Sequence, residues 1–118
     1  MTALAPGLRP LPLVAVLYRI PLLVEALAAA FEGLAELSAV RRDDSDVDGL
    51  IEALKPDALI VEDREVPGRH GQIPAVHVEL EGGAVHARRG GEWTQVGVDL
   101  TPEAIRNAVL RAMLGGGS

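Results

Sequence analysis

The chain has 118 residues, enough for one compact domain, and its 48% hydrophobic content with a mean hydropathy of +0.22 gives it the apolar surface to fold. Seventeen acidic against eleven basic side chains leave a formal charge of −6, and no basic run is longer than the pairs Arg41-Arg42 and Arg88-Arg89; both exclude the concentrated positive footprint of a nucleic-acid groove. The absence of cysteine excludes disulfides, thiolate metal sites and thiol catalysis.

The stretch Leu11 to Leu34 is mostly apolar and follows Arg9, as an export or membrane segment would, but Arg19 and Glu25 interrupt it and Pro21 splits it. It reads instead as a buried strand, Leu13-Val-Ala-Val-Leu17, and a helix opened by Pro21, whose missing N–H costs nothing in a first turn. Leu23, Leu27, Ala30, Phe31 and Leu34 follow helical spacing, and Gly33 ends the helix after about Glu32. Leu37-Ser-Ala-Val40 reads as a second strand. Asp43 to Asp46 then offer an N-cap and negative charge at the start of a helix from Val47 to Leu54, which stops before Pro56. Ala58-Leu-Ile-Val61 is a third strand buried on both faces, and the alternation predicts a parallel sheet with right-handed crossovers.

From Glu62 to Gln72 the chain is a polar loop with Pro67, Gly68 and Gly71, too short for an ordinary crossover helix with its connections. Ala75 to Leu80 alternates as a strand with one wet face, and Gly82-Gly83 and Gly90-Gly91 each suit a two-residue hairpin turn. The expectation is an antiparallel meander over 75–80, 84–89 and 92–98. A last helix opens at Thr101-Pro102-Glu103, with Ile105, Val109, Ala112 and Met113 on one face. The predicted fold is thus α/β and of three-layer type: a βαβαβ parallel half, an antiparallel β-meander and a C-terminal helix. It forms one domain over 1–114, with 115–118 as a flexible tail.

Tyr18-Arg19-Ile20-Pro21-Leu22-Leu23-Val24-Glu25-Ala26-Leu27, after a strand, resembles the opening of response-regulator receiver domains, in which an acidic pair precedes a His-Pro-Leu-type helix start. Pro56-Asp57-Ala-Leu-Ile-Val61, followed by Val66-Pro67-Gly68 and Gly71, is similar to that family's third strand and the loop after its phosphoacceptor. The resemblance covers residues 12 to 71 and implies a flavodoxin-like sheet. The chain departs from the pattern: Tyr18 and Arg19 stand where an acidic pair would hold Mg²⁺, and the phosphoacceptor position falls on Glu62 by strand alignment or on Asp63 by counting back from Pro67-Gly68. The third and fourth helices lack counterparts, as do the Thr/Ser of strand four and the Lys after strand five. What the resemblance implies is a degenerate receiver, a pseudo-receiver without phosphotransfer.

In such a sheet the ends of strands one and three flank the topological switch point, the default ligand crevice. There the sequence delivers Tyr18 and Arg19 beside Glu62 and Asp63, with Arg64, Glu65, Arg69 and His70 in the adjoining loop. A guanidinium near Glu62 repels a divalent cation and pairs with the carboxylate, so no metal and no metal-dependent phosphoryl transfer are expected. Further along, two-residue turns would set Glu79 opposite His86, His77 opposite Arg88, and Arg88 opposite Trp93. His77, Glu79, His86, Arg88, Trp93 and Gln95 then share one face, and Val76, Val78, Val85, Ala87 and Val96 the other. Imidazole and carboxylate are zinc and nickel ligands, but an exposed face with an Arg–Trp stack and a Glu–His pair accounts for the same residues. No Ser/His/Asp order, phosphate loop or H-E-x-x-H is present.

These readings point to a non-enzymatic, cytoplasmic signalling or assembly module without a cofactor. It would bind a protein partner or a second copy of itself, and neither membrane nor nucleic acid. The dimer surface would lie on the last helix, at Ile105, Val109, Leu110 and Met113. The competing reading is a small-molecule or nucleotide binder that uses the crevice at the ends of strands one and three.

Overall fold

The computed structural model describes residues 11–41, 46–62, 73–79, 82–89, 92–97 and 100–114. In chain order the elements are β1 (Leu13–Tyr18), α1 (Pro21–Phe31), β2 (Glu36–Arg41), α2 (Val47–Leu54), β3 (Ala58–Val61), β4 (Ala75–Glu79), β5 (Ala84–Arg89), β6 (Glu92–Gly97) and α3 (Pro102–Leu114). All six strands join one mixed sheet in the order β2-β1-β3-β4-β5-β6. Pairing is parallel from β2 through β4 and antiparallel from β4 through β6, so the fold is the predicted α/β arrangement. One feature differs: β4 pairs in parallel with β3, making it the fourth parallel strand as well as the first of the meander. The connection of residues 62–74 is of the minimum length that a parallel crossover needs.

The sheet has helices on both sides because β1 from Leu13 to Leu17 and β3 are apolar at every position. Val14, Val16, Ala58, Ile60, Val76, Val78 and Val85 point to one side and pack with Leu27 and Phe31 of α1 and Ile105 and Val109 of α3. Ala15, Leu17, Leu59, Val61 and Ala75 point to the other, under Val47 and Ile51 of α2. Residues i and i+2 of a strand share a face, so a run without polar residues demands cover on both. Leu34 is 42% exposed, although its spacing continues the α1 stripe. Gly33 ends the helix at φ +78° and takes Leu34 off that face, while Ala35 is buried instead.

The helix ends follow local chemistry. Pro21 occupies the first turn of α1. Thr101 caps α3, its Oγ1 accepting the Ala104 N–H at 3.1 Å. Asp46 is the N-cap residue of α2 without a side-chain cap bond, and Asp43 to Ser45 lie outside the described residues. The Lys55 N–H closes α2 onto the Ile51 carbonyl at 3.0 Å with Lys55 in the left-handed region.

Two expectations about α3 and the meander need correction. Ile105 is 2% exposed and Val109 fully buried, both within the core of this chain, so they are not available to a dimer surface. Met113 packs partly buried against the same core, and Leu110 is half-buried. In the β4–β5 hairpin Glu79 pairs with Ala84, so four residues separate the last pair where two were expected; Leu80 and Glu81 lie outside the described residues. The Gly83 N–H donates to the Glu79 carbonyl at 2.8 Å, with Gly83 at φ +71°. The second hairpin has the expected register: Arg89 pairs with Glu92, and Gly90 and Gly91 lie outside the described residues.

Candidate functional site

Two places on the sheet gather polar chemistry. The first is the switch point, where the strand order reverses between β1 and β3. Glu62 directly follows β3 and its Oε2 accepts the backbone N–H groups of Arg19 and of Ile20, the latter at 3.1 Å. Those groups lie between β1 and the first turn of α1, where the peptide dipoles favour a negative charge. Main-chain donors thus tie the β1–α1 junction to Glu62, a link that residue types alone do not announce. Arg19 is exposed, whereas Tyr18 turns to the α1/α3 side and packs partly buried against the core. Ile20 and Leu22 are exposed at this end, at 47% and 69%. Asp63, Arg64 and His70 lie outside the described residues.

The second place is on the α2 side of the sheet, toward the opposite edge. The registers align two rows across all six strands. One runs Val40, Leu17, Val61, His77, His86, Gln95; the next runs Ser38, Ala15, Leu59, Ala75, Arg88, Trp93. Each row begins under α2 and, past Val61 or Ala75, becomes polar or aromatic. The face membership predicted for His77, His86, Arg88, Trp93 and Gln95 is the one observed. The partners within the first hairpin are not those predicted: His77 lies opposite His86, Ala75 opposite Arg88, and Glu79 opposite Ala84. The hairpin is slipped by two residues, which leaves every side chain on its own face and changes only its row. Val96, expected on the apolar face, is 42% exposed, and the β5–β6 register shifts between Val85 and His86.

This face is also drier than an exposed sheet surface. His77, His86 and Arg88 retain 6%, 7% and 8% exposure. The two imidazoles approach Nδ1 to Nδ1 at 3.5 Å, a contact in which one ring donates and the other accepts. Trp93 joins the group, its ring edge-on to His77 at 5.8 Å between centroids and 5.2 Å from the Arg88 guanidinium carbon. The predicted Arg–Trp stack is therefore present, while the predicted Glu–His pair is replaced by a His–His pair. Among the described residues no group of three or more acidic, His or Cys side chains could hold a metal ion, and no helix is long and apolar enough to cross a membrane. The burial of Arg88 escaped the sequence reading because an arginine at an alternating position is ordinarily solvated. No protein-family model, curated protein or solved structure matches the chain.

Proposed function

We propose that the chain is a receiver-like module that works by protein–protein contact without phosphotransfer. The observation that carries this reading is the engagement of Glu62. In one of the two candidate phosphoacceptor positions, the one that strand alignment gives, its carboxylate accepts two main-chain N–H groups from the β1–α1 junction, beside Arg19 where a cation-binding acid would be needed. A small anionic ligand in the same crevice would have to compete with Glu62 for those N–H groups, which disfavours the nucleotide-binding alternative. The exposed apolar side chains Ile20 and Leu22 at this end suit a protein surface better than a phosphate.

The partner is another protein or a second copy of this chain. The experiment incubates the protein with acetyl phosphate and Mg²⁺ and reads intact mass. An unchanged mass is expected, together with capture of a partner or self-association that Ile20→Asp or Leu22→Asp weakens. Stoichiometric, Mg²⁺-dependent phosphorylation of Glu62 or Asp63 overturns the proposal.

A further inference from the structure

We propose that Arg88 anchors a binding site for a small ligand bearing an oxyanion, a carboxylate or a phosphate group, with Trp93 and the His77–His86 pair beside it. The site lies on β4, β5 and β6, away from the switch point, and does not rest on the receiver-like reading. Arg88 is more than nine-tenths buried, and its Nε and Nη2 have no hydrogen-bond partner among the described residues. These two nitrogens form one edge of the guanidinium, from which two N–H bonds project side by side. That edge is the fork that takes both oxygens of a carboxylate or two of a phosphate. A guanidinium stays charged at any ordinary pH, so a buried one lacking acceptors calls for a counter-charge.

The surroundings fit such an occupant. Trp93 lies against the guanidinium at 5.2 Å, leaving the Nε/Nη2 edge as the part in need of a partner. Directly across the ladder stands Ala75, a small apolar side chain that offers the guanidinium no acceptor. On the same face of β4, Glu79 sits two rows away, opposite Ala84, with its carboxyl end against Gly82. It does not serve Arg88. The His77–His86 pair stands one row from Arg88 on the same face.

Trp93 is the one tryptophan of the chain, so its fluorescence reports on this place alone. The full chain is titrated with sodium phosphate and, separately, with sodium succinate, each against sodium chloride at equal ionic strength. A saturable change in Trp93 emission with at least one of the two anions is expected, accompanied by a rise in Tm. A response to phosphate alone assigns a phosphoryl ligand, one to succinate alone a carboxylate, and either supports the site. Arg88→Met should abolish the response, and Arg88→Lys, which keeps the charge and loses the fork, should weaken it at least tenfold. Circular dichroism establishes that both variants are folded, and the lysine variant decides the matter if the methionine variant is not. The absence of any saturable response beyond chloride, or a response that survives the loss of the fork undiminished, overturns the proposal.

Discussion

Asp57 and Leu13 hold each other by two hydrogen bonds: the Leu13 N–H donates to Asp57 Oδ2 at 2.8 Å, and the Asp57 N–H donates to the Leu13 carbonyl at 2.7 Å. The carboxylate thereby adds one rung to the β1–β3 ladder below its first regular pair, Val14 with Ala58. Asp57 has a structural assignment, at the opposite end of these strands from the switch point. Asp57→Ala is expected to destabilise the chain by about 1–2 kcal/mol, because a part-buried N–H loses a charged acceptor. Asp57→Asn keeps an oxygen in place and should cost less than half of that. Urea denaturation midpoints compare the two, and equal losses would mean that the charge, not the bond, is what matters.

Glu62 makes a comparable bond in a wetter setting. Since the N–H groups of Arg19 and Ile20 are exposed, water replaces the carboxylate when it is removed. Glu62→Ala should therefore cost only about 0.5–1 kcal/mol. The local signal is larger than the global one: amide hydrogen exchange at Arg19 and Ile20 should quicken in Glu62→Ala and much less in Glu62→Gln, which keeps an acceptor. Unchanged exchange at both amides in the alanine variant would refute the assignment.

Gly83 separates backbone strain from crowding. A Cβ built there meets nothing within 4 Å, yet the residue sits at φ +71°. Gly83→Val should lose more than about 1 kcal/mol through conformation alone, and Gly83→Asn distinctly less, since asparagine tolerates this region. At neighbouring Gly82 a Cβ would come within 2.9 Å of the Glu79 carboxyl carbon, the far end of a flexible side chain that can move aside. Gly82→Ala should consequently be mild. A neutral Gly83→Val in thermal unfolding would rule out the four-residue turn.

Features fixed by local sequence are legible before the structure, and those fixed by pairing partners are not. The runs at Leu13 to Leu17 and Ala58 to Val61 were legible as strands because a short apolar segment bounded by Pro and polar residues has few other uses. The direction of β4 was not, since Ala75 to Glu79 alternates identically whether its neighbour runs parallel or antiparallel. The meander register failed for a related reason. A two-residue slip preserves alternation, so His77 opposite His86 and His77 opposite Arg88 fit the same pattern. At the switch point the acceptors were found by residue type, but the donors to Glu62 are main-chain N–H groups that every non-proline residue carries.

Helix α3 offers the last test, because two adjacent residues on it make opposite predictions. Val109 is fully buried between α3 and the sheet, so Val109→Asp places an unpaired carboxylate in the core. Its expected cost of about 3 kcal/mol or more should unfold a domain of this size or leave it marginal. Leu110, half-buried on the same helix, should tolerate aspartate with a loss below about 1 kcal/mol in the isolated chain. If self-association is the working mode of the module and uses this side of α3, Leu110→Asp removes apolar area worth ~25 cal/mol per Å² from the interface and adds a charge on each copy. Sedimentation at micromolar concentration should then show the native chain above 12.4 kDa and Leu110→Asp at that mass, with helical circular dichroism retained. A native chain that sediments as a monomer, unchanged by Leu110→Asp, would exclude a second copy as the partner.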